Sequence, residues 1–370
     1  MKKLLFAAYS LDVGGIEKAL IDLVNELDKK GYKITIVLEK KQGIFLNELS
    51  KNIKVIEYNP NQNKNIILRK IFNFAKRIKF IMKYKNKFDF SACFATYSIA
   101  SSFIARVASK NNCLWGHADY LTLFNNEEQQ VKKFFIERKY NKFKHIIFVA
   151  EEGKNSFLKI FPEMKNNTIT CNNLINNKKI IELSKEKINL DKDKNVIIFL
   201  NVGRHDEKQK RLTRIIEASK KLVKDNLKFK VLFVGDGQDN KLYKELVKQN
   251  NLEENIIFIG SKQNPYPYFN ISDCVILTSD YEGYPVVFLE SFVLNKPIIT
   301  TKVSDYKDIE GNYGLVTNKD VEDIYEKMKK FIIEGYEIKE KFDADTYNKN
   351  IINKLEKIFW KVTNKWVKLV

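Results

Sequence analysis

Short, almost wholly apolar runs alternate with longer amphipathic segments nearly from end to end, and that alternation leaves few folds open. The first series reads LLFAAY (4–9), ITIVLE (34–39), KVIEY (54–58), FDFSACF (88–94), CLWGH (113–117), HIIFVA (145–150) and TITCN (168–172). The second reads VIIFLNVG (196–203), KVLFVGDG (230–237), NIIFIGS (255–261), CVILTS (274–279), PIITTK (297–302) and GLVT (314–317). Helical patterns such as IEKALIDLVNELDKK (16–30) and LTRIIEASKKLVKD (212–225) lie between them. Near-continuous Val/Ile/Leu/Phe strands separated by helices predict parallel sheets covered on both faces. Two such series in 370 residues predict an α/β protein of two Rossmann-like domains. The expected division is 1–175, 176–344 and a C-terminal helix over 345–370. The polar stretch 172–195 is the expected link, with one helix and no strand. The last helix carries Leu355, Ile358, Phe359, Val362 and Trp366 on one apolar face.

Composition narrows the class. With 44% hydrophobic and 30% charged residues the chain can bury real cores, and 6 Pro with 14 Gly argue against long flexible linkers. Cys93, Cys113, Cys171 and Cys274 form no CxxC pair, so burial is expected rather than disulfides or a metal site. His117, His145 and His205 show no HExxH spacing. The start, MKKLLFAAYSLDVGG, reads as a first strand rather than a signal peptide, because its apolar stretch is short and runs into a Gly-Gly turn. No run reaches the ~18 apolar residues that span a bilayer, so a cytoplasmic chain is expected. The net charge of +19 favours polyanions or an anionic membrane surface without choosing between them; a Lys- and Asn-biased genome is a blander source of the same excess.

In doubly wound sheets ligands lie beyond the carboxyl ends of the strands, so residues just after strands carry the interest. The segment SDYEGYPVVFLESFVLNKPIIT (279–300) ends a strand and places Glu282 and Gly283 in a loop, Pro285 at a helix start and Glu290 inside that helix. Free N–H groups there can hold a phosphate or sugar oxygen, and the two acids can accept hydrogen bonds from sugar and ribose hydroxyls. An ordinary helix with two solvated acids fits the same pattern. In LNVGRHDEKQKRLTRIIEA (200–218), Arg204, Lys208, Lys210 and Arg211 crowd the start of a helix, against the dipole preference for acids. A bound diphosphate resolves that conflict; a basic surface loop is the plainer reading. Gly14 and Gly15 follow the first strand without a GxGxxG fingerprint. His117 ends another strand, and GDG (235–237) follows a third and can be a plain turn.

Taken together, GGIEKAL, the His117 strand end, VGRHDEKQK, VGDG and the Glu-x7-Glu element from Glu282 to Glu290 resemble retaining glycosyltransferases of the GT-B fold, in the large family 4 group (glycosyl transferases group 1). The resemblance covers the whole chain and is strongest over 196–317. It implies two Rossmann-like domains facing across a cleft, with the C-terminal helix returning to the N-terminal domain. It implies a nucleotide-sugar donor, commonly a UDP-sugar, and no bound metal or other cofactor. Arg204 and Lys210 contact the donor diphosphate in that scheme, Lys210 being preferred to Lys208 although the spacing from Arg204 is one residue longer than usual. Glu290 binds the ribose, Glu282 and Gly283 face the donor sugar, Gly15 lies near the diphosphate and His117 near the sugar. His117, Arg204, Lys210 and Glu282 are the catalytic candidates. No carboxylate pair of the glycosidase kind is visible. A related enzyme, such as a sugar-nucleotide epimerase or a phosphorylase, and a basic nucleic-acid-binding protein are the competing readings, the latter lacking zinc, RNP-like or helix-turn-helix signatures.

One segment stands outside this scheme. KNIILRKIFNFAKRIKFIMKYKNKF (64–88) holds nine Lys/Arg and no acid. On a helix, Ile67, Ile71, Phe74, Ile78, Ile81 and Met82 share a face expected to pack on the domain. Arg69, Lys76, Lys79 and Lys83 share the opposite face, with Phe72 and Phe80 among them. Exposed aromatics among lysines suit a lipid headgroup interface, and a solvated basic helix fits equally. The membrane reading implies a lipid-linked acceptor, as in bacterial surface polysaccharide synthesis, and an enzyme peripheral to the inner face of the membrane.

Overall fold

The computed structural model describes residues 1–12, 14–190 and 192–360. The chain divides into two compact units, Met1–Leu174 with Asp345–Val370, and Ile175–Ala344.

The first unit is a seven-stranded parallel sheet of β1 (Lys3–Ala8), β2 (Lys33–Leu38), β3 (Lys54–Glu57), β4 (Phe90–Cys93), β5 (Asn112–Gly116), β6 (His145–Phe148) and β7 (Thr168–Thr170). Its order is β3-β2-β1-β4-β5-β6-β7. The second is a six-stranded parallel sheet of β8 (Ile197–Val202), β9 (Phe229–Val234), β10 (Ile256–Gly260), β11 (Cys274–Leu277), β12 (Ile298–Thr301) and β13 (Gly314–Thr317), in the order β10-β9-β8-β11-β12-β13. Each of the thirteen apolar runs thus contains one strand. The strands are apolar throughout because helices cover both faces, and β1, β4, β5, β6 and β11 are buried at nearly every position. In each sheet the strand order reverses once, between β1 and β4 and between β8 and β11. Those switch points are where such sheets open a crevice at their carboxyl edge.

All four cysteines are buried and free. The linking segment forms the helix Asn177–Leu183 and, among the described residues, no strand. The helix Ala344–Trp360 packs on the first unit: Phe359 meets Phe90 at 4.6 Å and Tyr32 at 5.9 Å between ring centroids, and Asn111 Nδ2 donates to the Ile358 carbonyl at 3.0 Å. Leu355, Ile358 and Phe359 are buried as the periodicity predicts; Val362 and Trp366 lie outside the described residues.

The basic helix departs from expectation. It spans Ile66–Tyr84, started by Asn65, whose side chain accepts from the Ile67 and Leu68 amides at 2.9 and 3.2 Å. It ends where Asn86 turns left-handed and donates its N–H to the Val107 carbonyl. Phe80, placed by sequence on the membrane side, is its one buried side chain, 5% exposed. It is boxed by Tyr58 at 5.6 Å, Tyr84 at 4.9 Å and Phe103 at 6.1 Å. Conversely Ile67, Ile71, Phe74, Ile78 and Met82, expected to face the domain, are exposed. The stripe exists as predicted, but the helix is rotated so that Asn73, Phe80 and Tyr84 point inward instead.

Candidate active site

The second unit's switch point is flanked by two loops, one after β8 (203–211) and one after β11 (278–285). They are stapled through the backbone: the Asp280 amide donates to the Gln209 carbonyl at 2.8 Å, and Thr278 Oγ1 donates toward the Lys210 and Arg211 carbonyls at 3.1 and 3.0 Å. The GDG turn supports the first loop from below. Gly235 adopts φ +153, and a Cβ there would meet the Gly203 carbonyl oxygen at 1.8 Å; one on Gly237 would meet the His205 carbonyl oxygen at 2.2 Å. These two glycines let the turn press directly against the backbone of the first loop, where any side chain would push it away.

Side chains then close a charge lattice over the staple. Lys210 Nζ donates to Glu282 Oε1 at 2.6 Å, and Ser279 Oγ donates to the same oxygen at 2.7 Å. Gln209 Nε2 reaches Glu282 Oε2 at 3.3 Å while its Oε1 accepts from Arg204 Nη2 at 3.2 Å. Arg204 also faces Asp206 at 3.6 Å, yet its side chain stays 67% exposed, so much of its donor fork is open. Behind them, Asp280 receives Arg211 Nε at 2.5 Å and Arg214 at 2.7 Å. Burial pushes the Asp280 carboxyl upward, but the two arginine hydrogen bonds win and hold it below the usual carboxylate range; the same Asp280 bond raises Arg211 further.

The structure therefore brings Arg204, Lys210 and Glu282 together, and it separates the lysines: Lys210 is part-buried and ion-paired, whereas Lys208 is exposed and stands outside the lattice. It also resolves the apparent clash of cations with a helix N-terminus without any ligand. Glu207 supplies the missing acid, its Oε1 accepting from Thr213 Oγ1 at 2.5 Å and its Oε2 from the Thr213 amide at 3.4 Å, at the start of the helix Leu212–Lys224. That helix start therefore needs no diphosphate to balance it; the open Arg204 fork still offers one a partner.

Glu290 lies on the helix Val286–Val293, 5% exposed, accepting from Tyr266 OH at 3.0 Å. Pro285 precedes that helix, and its N-terminus has no side-chain cap. Gly283 is half-buried in the loop before it. His205 is structural: it is buried among Phe233, Tyr243 and Phe258, with Nδ1 facing Asn240 Oδ1 at 3.2 Å, and burial lowers its pKa.

Gly15 and His117 belong to the first unit. Gly15 opens the helix Gly15–Lys29 after β1 and is exposed. His117 follows β5, its ring 4.5 Å from Phe94 and 6.5 Å from Trp115. Its Nε2 is buried without a hydrogen-bond partner among the described residues, and burial pushes the imidazole down to about 3, so it is neutral. The same sheet edge holds a cavity of about 510 Å³ lined by Tyr9, Glu39, Tyr58, Arg77, Tyr97 and Phe103. Ser98 Oγ donates to Glu39, and burial raises the Glu39 carboxyl against that hydrogen bond. Sequence reading missed this cavity, along with Gln209, Ser279, Asp280 and Tyr266. Gln209 lay inside the quoted VGRHDEKQK motif; Tyr266 needs a tertiary contact across 24 residues.

The profile of the family described as glycosyl transferases group 1 matches residues 180–349. An uncharacterized glycosyltransferase of Methanocaldococcus jannaschii is 29% identical over 193 residues, 46% of this chain and 47% of that one. The Campylobacter jejuni N-acetylgalactosamine-N,N'-diacetylbacillosaminyl-diphospho-undecaprenol 4-alpha-N-acetylgalactosaminyltransferase is 26% identical over 370 residues, 94% of this chain and 96% of its own length. In fold, the chain is similar to Anabaena HepE in complex with UDP and glucose, with a TM-score of 0.73 over 96% of this chain and 100% of that one at 16% identity. The stretch that supplies Arg204, Lys210, Glu282 and Glu290 therefore bears the sequence pattern of the glycosyl transferases group 1.

Proposed function

We propose that the protein is a metal-independent, retaining glycosyltransferase that moves a sugar from a nucleotide-sugar, a UDP-sugar in the first instance, to a hydroxyl of a lipid-linked glycan at the inner face of a membrane. The observation that carries the reading is the Lys210–Glu282 pair beside the open Arg204 fork, at the switch point of a sheet within the matched segment. A donor diphosphate takes up Arg204 and draws on Lys210, while Glu290 accepts from the ribose and Glu282, freed in part from Lys210, accepts from the donor sugar. The acceptor oxygen bonds to the anomeric carbon as the bond from that carbon to the diphosphate oxygen breaks. The hydroxyl proton passes to the departing diphosphate on the same face. Lys210 and Arg204 supply the positive charge that stabilises this leaving group. The neutral His117 and the cavity by Glu39, Tyr9 and Tyr97 suit hydroxyl-rich partners. The UDP and glucose in the HepE complex and the diphospho-undecaprenol in the name of the Campylobacter relative support the donor and acceptor classes.

The test is transfer from a panel of UDP-, GDP-, ADP- and TDP-sugars to a polyprenyl-diphosphate-linked glycan in chelator, with the product's anomeric configuration read by NMR. Retained configuration is expected. An inverted product, or an epimerised donor with no transfer, contradicts the proposal.

A further inference from the structure

The helix Ile66–Tyr84 is nineteen residues long, about 28 Å at helical rise, and it is attached by a narrow side. Phe80 is its buried anchor; Lys76 Nζ donates to the Asn59 carbonyl and the Arg77 guanidinium lies 5.4 Å from the Phe103 ring. At 100° per residue, Ile67, Ile71, Phe74, Ile78 and Met82 form one continuous stripe turned away from that side. They are open to water, up to 69% for Ile67 and 74% for Met82. On a protein surface a contiguous run of five large apolar side chains marks an interaction site.

The charges around it select the partner. Residues 64–88 contain nine cations and no acid among Lys64–Lys87, and so carry a large share of the chain's net +19. Lys79 and Lys83 lie to one side of the stripe, with the exposed Phe72 between them, and Lys70 lies to the other, while Arg69 is on the side opposite the stripe. Two copies of such a surface repel one another, which disfavours self-association. A nucleic acid would meet the cations and leave the stripe in water. No described helix is long and apolar enough to cross a membrane. An amphipathic helix with a basic border and an apolar face is instead built to lie in an interface.

We infer that the helix Ile66–Tyr84 docks the protein on an anionic bilayer, sinking Ile67, Ile71, Phe74, Ile78 and Met82 among the acyl chains while Lys70, Lys79 and Lys83 hold the headgroups. The face that inserts is the apolar stripe, nearly half a turn from the side that Phe80 anchors. The membrane part of the proposed function is deepened by this surface, which shares no residue with the donor site, so each can fail without the other.

The experiment is vesicle co-sedimentation of the full chain with phosphatidylcholine alone and with an equimolar phosphatidylcholine–phosphatidylglycerol mixture. Wild type is expected to prefer the anionic vesicles. Ile71→Asp with Phe74→Asp should weaken that binding by more than about tenfold, and Lys79→Gln with Lys83→Gln by about fivefold per charge, on anionic vesicles only. Ile136→Asp, an exposed apolar residue on another helix of the same unit, should change nothing. As an independent readout, the emission of the Phe74→Trp variant, with the wild-type spectrum subtracted, should move to the blue on adding anionic vesicles. Wild type that ignores both vesicles, stripe variants that bind as wild type does, or a Phe74→Trp difference spectrum that anionic vesicles leave unmoved each overturn the proposal. So does light scattering that finds a dimer which Ile71→Asp with Phe74→Asp converts to monomer. Nucleotide-sugar binding measured on the stripe variants should equal that of wild type.

Discussion

The carboxyl edges of the two sheets share a topology and differ in chemistry. In the second unit, the loops after β8 and β11 hold a lattice of opposite charges: Lys210 on Glu282, Arg211 and Arg214 on Asp280, with Arg204 left largely in solvent. In the first unit, the corresponding edge offers a neutral His117, hydroxyl-bearing Tyr9 and Tyr97, and a Glu39 whose carboxyl is raised by burial. A prearranged set of cations costs little to reorganise when an anion arrives, so the first arrangement suits a diphosphate. The second is mostly aromatic rings and hydroxyls around Arg77 and Glu39, and suits hydroxyl-rich ligands that lie against rings and share hydrogen bonds. One fold, used twice, thus presents an ionic half and a polar half.

The comparison breaks most sharply at Lys210. Lys210→Ala should lower kcat/KM by about 10²–10³, because in the proposed reaction it removes a cation from the leaving group, and it leaves Glu282, which is 8% exposed, without its cationic partner. Steady-state transfer assays check this, and a loss under about threefold would show that the lattice is scaffolding only.

Asp280→Asn should act on stability more than on chemistry. It weakens charged hydrogen bonds to two arginines, one of them substantially exposed, so a loss of about 1–2 kcal/mol is expected by denaturant titration. Because the folded Asp280 pKa is depressed, its stabilisation is complete above the unfolded value near 3.9 and is lost as pH falls through the folded value. The wild-type minus Asp280→Asn stability difference should therefore shrink below about pH 4 and stay constant from there to neutrality.

The smallest effect sharpens the neutral half. The His117 ring signal in a proton NMR titration should not shift between about pH 8 and 5, since its folded pKa is near 3. An unfolded histidine protonates near 6.5 and the folded one does not, so His117 progressively disfavours the folded state as pH drops from about 6.5 toward 3. A His117 midpoint near 6.5 would place the ring in water and remove the distinction between the two edges.

Much of this was legible beforehand, and the failures have a common cause. Continuous apolar runs located all thirteen strands because burial on both faces writes itself into every position of a strand. The loops after β8 and β11 were legible as places, since chemistry follows strand ends. Their pairings were not: that Glu282 meets Lys210 rather than Lys208, and that Glu207 caps the helix Leu212–Lys224, depends on contacts across the switch point or on side-chain rotamers. Phe80 shows the limit for helices. Periodicity reports that a stripe exists, but not what covers it. Phe72 and Phe80 fell together among the cations, and only Tyr58 and Phe103, brought in from elsewhere, decide that Phe80 is core while Phe72 is surface.

The most direct test of the ionic half is calorimetric titration of UDP, GDP, ADP and TDP into wild type, Lys210→Ala and Glu290→Ala, with chelator present throughout. Binding of one nucleotide that survives the chelator and weakens at least about tenfold in each variant is the predicted result, the loss expected when a charged hydrogen bond is removed. No binding by any of the four, or binding that both variants leave untouched, would contradict the assignment of the β8–β11 switch point as a donor site.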